Sequence, residues 1–259
     1  MEDDQLNLYY RRPDLYDLMH EDFVEDLRFV RNVVTSHGDQ PQVLELGCGT
    51  GRLFPPMLDA GATVVGLDLC STMLQVARDR FALYGDRVTL LQGDMRHFDL
   101  ERRFDLAVIG LNTFMHMLTI DDQVSALESI YRHLRPGGIL LLDLANPHTV
   151  VRDTPLNTLQ HRFTRSIGVE SAVVSLWSST ELALASQMAC TTLFFDEITA
   201  AGDLQRTVAE VRLRLTYRFE LEHLLRRAGF SIRALHGDYD GGPYEDESER
   251  LICAALALA

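Results

Sequence analysis

Val43-Leu44-Glu45-Leu46-Gly47-Cys48-Gly49-Thr50-Gly51-Arg52-Leu53 runs a short apolar stretch into three glycines at alternate positions, with a helix-capable segment behind them. This is the layout of a buried strand that turns sharply, so that backbone N–H groups and a helix N-terminus face a bound ligand. Glycine suits such a turn because the backbone needs unusual φ/ψ angles and a side chain would block close approach. The spacing is Gly-x-Gly-x-Gly rather than the Gly-x-Gly-x-x-Gly of dinucleotide-binding turns. Arg52 stands where the last small residue of that fingerprint would fall, which argues against a pyrophosphate on this helix.

Outward from the turn, apolar runs recur at 42–46, 63–67, 88–91, 104–110 and 139–144, and helical patterns lie between them at 53–60, 71–84 and 121–134. Strand–helix alternation with near-continuous apolar strands predicts a parallel sheet covered on both faces. Ligands of such sheets bind beyond the carboxyl ends of the strands, where strand order reverses. Upstream, Leu15, Leu18, Met19, Phe23, Leu27, Val30 and Val34 are spaced as one helix over 14–36, opening after Pro13.

The rhythm changes after Asp143. Val211, Leu213 and Leu215 alternate with Arg212, Arg214 and Thr216 as in a half-buried strand, and weaker strand runs occur at 172–177 and 187–195. A turn is predicted at 200–203, and antiparallel sheet inserted into, or lying over, the main sheet. A helix over 219–228 should stop at Gly229, with strands at 231–236 and 250–257 closing the chain.

Composition narrows the function. The 259 residues, 46% of them hydrophobic, suffice for one large domain or a core with a substantial insertion. No apolar run approaches the roughly 18–20 residues of a membrane span. The acidic start Met1-Glu2-Asp3-Asp4 lacks the order of a signal peptide, and Cys48, Cys70, Cys190 and Cys253 are scattered without metal-type spacing. A reduced, cytoplasmic protein without a bound metal is expected. The net charge of −14 disfavours a nucleic-acid partner. All 24 basic residues counted as lysine or arginine are arginine, so Schiff-base chemistry and a P-loop lysine are excluded.

Several residues then stand out. Asp68 ends the second strand, seventeen residues past Gly51, near the acidic position that binds ribose hydroxyls in nucleotide-binding units. Asp94-Met95 follows the third strand, where a carboxylate could accept an adenine amine. His116 follows the fourth strand and could orient an acceptor or take its proton, or simply pack against the next helix. The glycine-rich loop 237–244, with Tyr239 and Tyr244, is placed to approach the same pocket or merely joins the last two strands.

The order Glu-Leu-Gly-Cys-Gly-Thr-Gly, Gly-Leu-Asp, Gln-Gly-Asp-Met, Phe-Asp-Leu-Ala-Val-Ile and Leu-Arg-Pro-Gly-Gly resembles the class I S-adenosylmethionine-dependent methyltransferases over roughly residues 40–145. The resemblance implies an α/β, Rossmann-like, doubly wound seven-stranded sheet, mostly parallel with the last strand antiparallel, plus an inserted antiparallel β layer. It implies an N-terminal lid over 1–36, a cofactor-binding core from 37–145 and 217–259, and a β insertion at 146–216 that walls the acceptor site or builds a homodimer interface. The insertion itself is similar to the added layer of amino-sugar and glycine N-methyltransferase-like enzymes.

Carried over by motif, Glu45, Gly47, Cys48, Gly49 and Gly51 would border the methionine part of S-adenosylmethionine. Asp68 would bind the ribose, with Leu69 against the adenine, Asp94 and Met95 would hold the adenine, and Met73 would be a further cofactor-binding residue. Leu111 would line the pocket, Tyr16 would cover the cofactor, and His116 would be the catalytic residue. The Asn-Pro-Pro-Tyr sequence of base and glutamine modifiers is absent, Asn112 being followed by Thr113-Phe114. The expected activity is methyl transfer to nitrogen or oxygen of a small molecule, leaving S-adenosylhomocysteine. The alternatives are a protein or RNA methyltransferase, or a non-catalytic cofactor-binding protein.

Overall fold

The structure, a computed structural model, describes residues 8–167, 172–199 and 201–258. In chain order its strands are β1 (Gln42–Leu46), β2 (Thr63–Asp68), β3 (Val88–Gln92), β4 (Phe104–Ile109), β5 (Leu134–Ala145), β6 (Gln160–Ile167), β7 (Ala172–Ala183), β8 (Met188–Ile198), β9 (Leu204–Arg214), β10 (Phe230–His236) and β11 (Arg250–Ala257). Its α-helices are α1 (Pro13–His20), α2 (Glu25–Thr35), α3 (Phe54–Asp59), α4 (Ser71–Phe81), α5 (Ile120–His133), α6 (Pro147–Asp153) and α7 (Arg218–Arg227).

Seven strands form one sheet in the order β10-β11-β5-β4-β1-β2-β3. β11 runs antiparallel to both neighbours, and the pairings among β1 to β5 are parallel. Because successive side chains on a strand point to opposite faces, nearly continuous apolar strands feed two cores. Leu44, Leu46, Ala107, Ile109, Leu140 and Leu142 pack on the side of α5 and α7, while Val43, Val64, Leu106, Val108, Ile139 and Leu141 pack on the side of α2, α3 and α4. β1 has β2 on one side and β4 on the other, so strand order reverses there. The crevice beyond the carboxyl ends of β1 and β4 is where such folds hold ligands.

The second sheet is antiparallel, in the order β6-β7-β8-β9. Its inner face buries Val174, Leu176, Leu193, Phe195 and Ala209 against Tyr9 and Leu15 of the N-terminal segment. That segment therefore lies between the smaller sheet and the mouth of the crevice.

The helix predicted over 14–36 is two helices, with a break at residues 21–24. The two halves answer to different cores: Leu15 and Met19 pack with the inner face of the smaller sheet, whereas Phe29, Val30 and Val34 pack under the main sheet. A straight helix could not serve both. β6 and α6 are additions to the predicted elements. At the predicted turn, Thr199 N–H donates to the Asp203 carbonyl at 3.0 Å and Gly202 N–H to the Thr199 carbonyl at 2.9 Å, while Ala200 lies outside the described residues.

Candidate functional site

The glycine turn closes against the end of β2. Gly47 and Cys48 both donate their N–H to the Leu67 carbonyl, at 2.7 and 3.2 Å. Gly47, Gly49 and Gly51 have φ of 68, 54 and 78°, in the left-handed region that glycine enters without steric cost. A Cβ on Gly47 would stand 2.2 Å from Thr113 Cγ2, and one on Gly51 would stand 2.6 Å from Phe81 Cε2. The first glycine lets the turn approach the loop after β4; the third lets α4 pack beneath it. Gly49 lines the cavity, and a Cβ there would meet the Tyr16 ring at 3.9 Å, an ordinary van der Waals contact. Asp68 locks the arrangement: Oδ2 accepts Gly49 N–H at 2.7 Å and Oδ1 accepts Cys70 N–H at 2.8 Å.

Beyond β4 the backbone takes two successive left-handed steps at Leu111 (φ 43°) and Asn112 (φ 66°), which costs energy for non-glycine residues. A buried polar cluster holds them there. Leu111 N–H donates to Asp143 Oδ2 at 3.2 Å, and Asn112 N–H to the Asp143 carbonyl at 2.9 Å. Asn112 Oδ1 accepts Ala145 N–H at 2.6 Å and Arg250 Nη2 at 3.0 Å. The strained turn swings Leu111 and the 3₁₀ turn Thr113–His116 over the crevice.

These pieces enclose a cavity of about 270 Å³. Among the predicted residues, Tyr16, Gly47, Gly49, Asp68, Leu69, Met73, Asp94, Met95, Leu111 and His116 line it. Glu45, Cys48 and Gly51 do not: Glu45 and Cys48 are buried beneath the turn, and Gly51 packs on Phe81. The loop 237–244 is also not part of the lining; Tyr239 donates to Asp143 Oδ2 and Tyr244 to Asn146 Oδ1, both at 2.9 Å. Motif reading overlooked Met19, His20, Cys70, Met117, Val211 and Leu213, which come from α1, the end of β2, the loop after β4 and β9. Val211 and Leu213 could have been found, since they are the apolar members of an alternating strand.

Asp94 is already engaged. Burial would raise its pKa, but the Arg96 guanidinium and backbone N–H, the closest contact at 2.6 Å, outweigh that and hold it below the usual carboxylate range. Arg96 Nε is shared between both oxygens at 3.0 Å, and the Arg96 backbone N–H and Nη2 take one oxygen each.

Also in the cavity lining, Tyr10 Oη and His116 Nε2 are 2.6 Å apart. Burial keeps the Tyr10 phenol protonated, so it can donate to a neutral imidazole. Burial also pushes His116 down to about 4, against the one interaction that favours its charged form, the Arg212 backbone carbonyl. The N-terminal segment is tied down around this pair. Cys70 Sγ donates to the Tyr10 carbonyl at 3.2 Å, Thr50 Oγ1 to Asp17 at 2.6 Å, and Arg12 bridges Asp14 and Glu197.

Behind the glycine turn, on the α2 side, lies a layer of buried charge. Asp26 is paired with Arg52, and Asp143 with Arg250 at 2.5 Å. Glu45 is buried as well, its Oε2 has no hydrogen-bond partner, and burial raises its pKa well above the usual value. Three carboxyl groups thus face two guanidiniums, and burial favours the neutral acid at Glu45 despite the attraction of Arg52. An ammonium group brought beside the turn would favour the ionised form of Glu45.

A family profile described as a methyltransferase domain matches residues 43–138. The chain is 30% identical over 226 residues to the cypemycin N-terminal methyltransferase of a Streptomyces species, covering 85% of each protein. It is also 30% identical over 135 residues to a dTDP-3-amino-3,6-dideoxy-alpha-D-glucopyranose N,N-dimethyltransferase of Streptomyces fradiae, covering 50% of this chain and 51% of that enzyme. In fold it is similar to an S-adenosylmethionine-dependent methyltransferase of Clostridium acetobutylicum, with a TM-score of 0.80 and 19% identity over 98% of this chain and 100% of the other. The chain belongs to the S-adenosylmethionine-dependent methyltransferase family.

Proposed function

We propose that the protein transfers a methyl group from S-adenosylmethionine to the amine nitrogen of a small molecule bound at the Tyr10–His116 end of the cavity. The observation that carries this reading is the neutral Tyr10–His116 pair in the cavity that the glycine turn also lines. S-adenosylmethionine, when bound, supplies an intrinsically electrophilic methyl on a sulfonium. The task left to the chain is to align the acceptor and exclude water.

In this reading Glu45 compensates the ammonium of the methionine part, Gly47 and Gly49 leave room for its backbone, and Asp68 takes the ribose hydroxyls. Leu69, Met73, Asp94 and Met95 enclose the base, and Leu111 and Tyr16 close the centre. His116, too weak a base to hold a proton at neutral pH, orients the Tyr10 hydroxyl through Nε2, and the Tyr10 oxygen is left to accept from the acceptor's N–H. An amine suits this site better than a hydroxyl, because an amine can shed its proton to water before binding. Of the relatives described above, one is an N,N-dimethyltransferase and the other an N-terminal methyltransferase by name. Residues 1–36 act as the lid, 37–145 and 217–259 as the cofactor core, and 146–216 as the acceptor wall.

His116→Asn is expected to keep kcat within about tenfold of wild type, whereas loss of a general base costs roughly 10²–10⁴-fold. Correspondingly, kcat/KM should show no histidine titration between pH 6 and 8 and should rise only as the acceptor amine deprotonates. Methyl transfer from labelled S-adenosylmethionine to a panel of amines, measured across that pH range, checks both. A drop of a thousandfold in the variant would restore His116 as the base.

The outer face of the smaller sheet carries His161, Trp177, Phe194 and Val208 in register across four strands. Its flanking charges are paired within the chain, Arg206 with Asp196 and Arg212 with Glu210. A chain of net charge −14 meets its own copy most readily through such a neutral, apolar face, and we propose a homodimer there. Sedimentation should show a dimer that Val208→Arg converts to monomer; a wild-type monomer contradicts it. The four cysteines are free thiols, which supports a reducing, cytoplasmic setting. The acidic net charge supports a small-molecule rather than a nucleic-acid partner.

A further inference from the structure

We infer that the acceptor amine sits on an uncharged, apolar body, and that nucleoside-diphosphate sugars are excluded from this cavity. The inference rests on the methyltransferase reading of the site and narrows its substrate class.

The charged side chains that line the cavity are Asp68 and Asp94, both acidic. Among the described residues no arginine lines it, and residues 1–7, 168–171, 200 and 259 contain no arginine, lysine or histidine. A diphosphate needs cations or a cluster of donors to replace its water. Here it would meet two carboxylates in a protein of net charge −14.

The alternation of β9 explains how this comes about. The register that lays Val211 and Leu213 into the cavity turns Arg212 and Arg214 to the other face, where Glu210 and Glu220 take them. The nearby Arg12 is held by Asp14 and Glu197, and Arg96 by Asp94 and Asp122. Val211, Leu213, Met117 and Met19 give the cavity aliphatic and thioether walls, among which Tyr10, His116, Asn112 and Thr113 are polar. Such a wall disfavours an ammonium, so an amine entering it loses its proton and becomes the nucleophile that the reaction requires.

The test uses the full-length protein saturated with S-adenosylhomocysteine, titrated calorimetrically with ethylamine, phenethylamine and dTDP-glucose. Phenethylamine should bind roughly tenfold or more tighter than ethylamine, as burial of its ring dictates, and dTDP-glucose should give no binding. Val211→Arg should weaken phenethylamine at least about tenfold. Val211→Asn, closer in volume, should weaken it in the same direction if the arginine variant does not fold. Binding of dTDP-glucose, failure of phenethylamine to bind the loaded protein, or indifference of both variants overturns the inference. Failure of S-adenosylhomocysteine itself to bind overturns the underlying reading instead.

Discussion

Asp68→Ala is expected to weaken S-adenosylmethionine binding by about a hundredfold or more. Asp68 does two jobs from the end of β2. Its carboxylate accepts the N–H groups of Gly49 and Cys70, which fixes the glycine turn on the strand that follows it. It also lines the cavity, and in the proposed reading it takes the ribose hydroxyls. Hydrogen bonds to a charged group contribute about 1.5–3 kcal/mol each, so losing two to the ligand alone accounts for the expected change. Asp68→Asn separates the jobs. It keeps the shape but must turn an amide NH₂ toward a donor, so its affinity should fall between wild type and alanine. Calorimetric titration of the three proteins checks the order, and equal affinity across them would remove Asp68 from the site.

Arg250→Met should cost about 3–5 kcal/mol of stability and, with it, the shape of the site. Arg250 is buried against Asp143 at 2.5 Å and also reaches Asn112 Oδ1 at 3.0 Å. Methionine fills the volume of the stem but strands the Asp143 carboxylate, with the Tyr239 hydroxyl and Leu111 N–H as its remaining side-chain and backbone donors. Those same groups hold the left-handed steps at Leu111 and Asn112, so the strain there is no longer offset. Thermal unfolding should shift down by roughly 10 °C, and cofactor affinity should fall even at temperatures where the variant is folded. Double replacement of Asp143 and Arg250 by apolar residues should recover part of the stability but not the affinity. A variant as stable as wild type, binding cofactor equally well, would contradict this role.

Much of the main sheet was legible because its signal is local. The apolar run at 42–46 is β1 to the residue, and 250–257 is β11, since buried strands bounded by turns leave little choice of boundary. β5 begins earlier than the apolar run at 139, because Leu134 already pairs with Phe104 ahead of an irregularity at Arg135-Pro136-Gly137-Gly138, where Gly137 takes a φ of 80°. β6 went unread because Gln160–Ile167 is an edge strand rich in polar residues, with one neighbour and little to bury. α6 carries a helix-start signal, Asn146 accepting His148 N–H ahead of Pro147, but over too few residues to show a period.

The site divides in the same way. The glycine turn, Asp68 and Asp94-Met95 sit at strand ends, so short motifs reveal them. The opposite wall is built from parts far apart in sequence: Tyr10 meets His116, and His116 meets the backbone of Arg212. No periodicity encodes such pairings; they follow from the smaller sheet pressing the N-terminal segment onto the crevice. Glu45 shows the converse case. Its motif is plain, but strand alternation puts it on the α2 face beneath the turn, away from the cavity lining.

The most direct test of the central claim is a crystal structure of the protein with S-adenosylhomocysteine. The predicted result is the adenosine between Asp68 and Asp94, the amino-acid end at Gly47–Gly49 above Glu45, and the sulfur facing the Tyr10–His116 pair. A ligand bound elsewhere, or one whose sulfur points away from that pair, would contradict it.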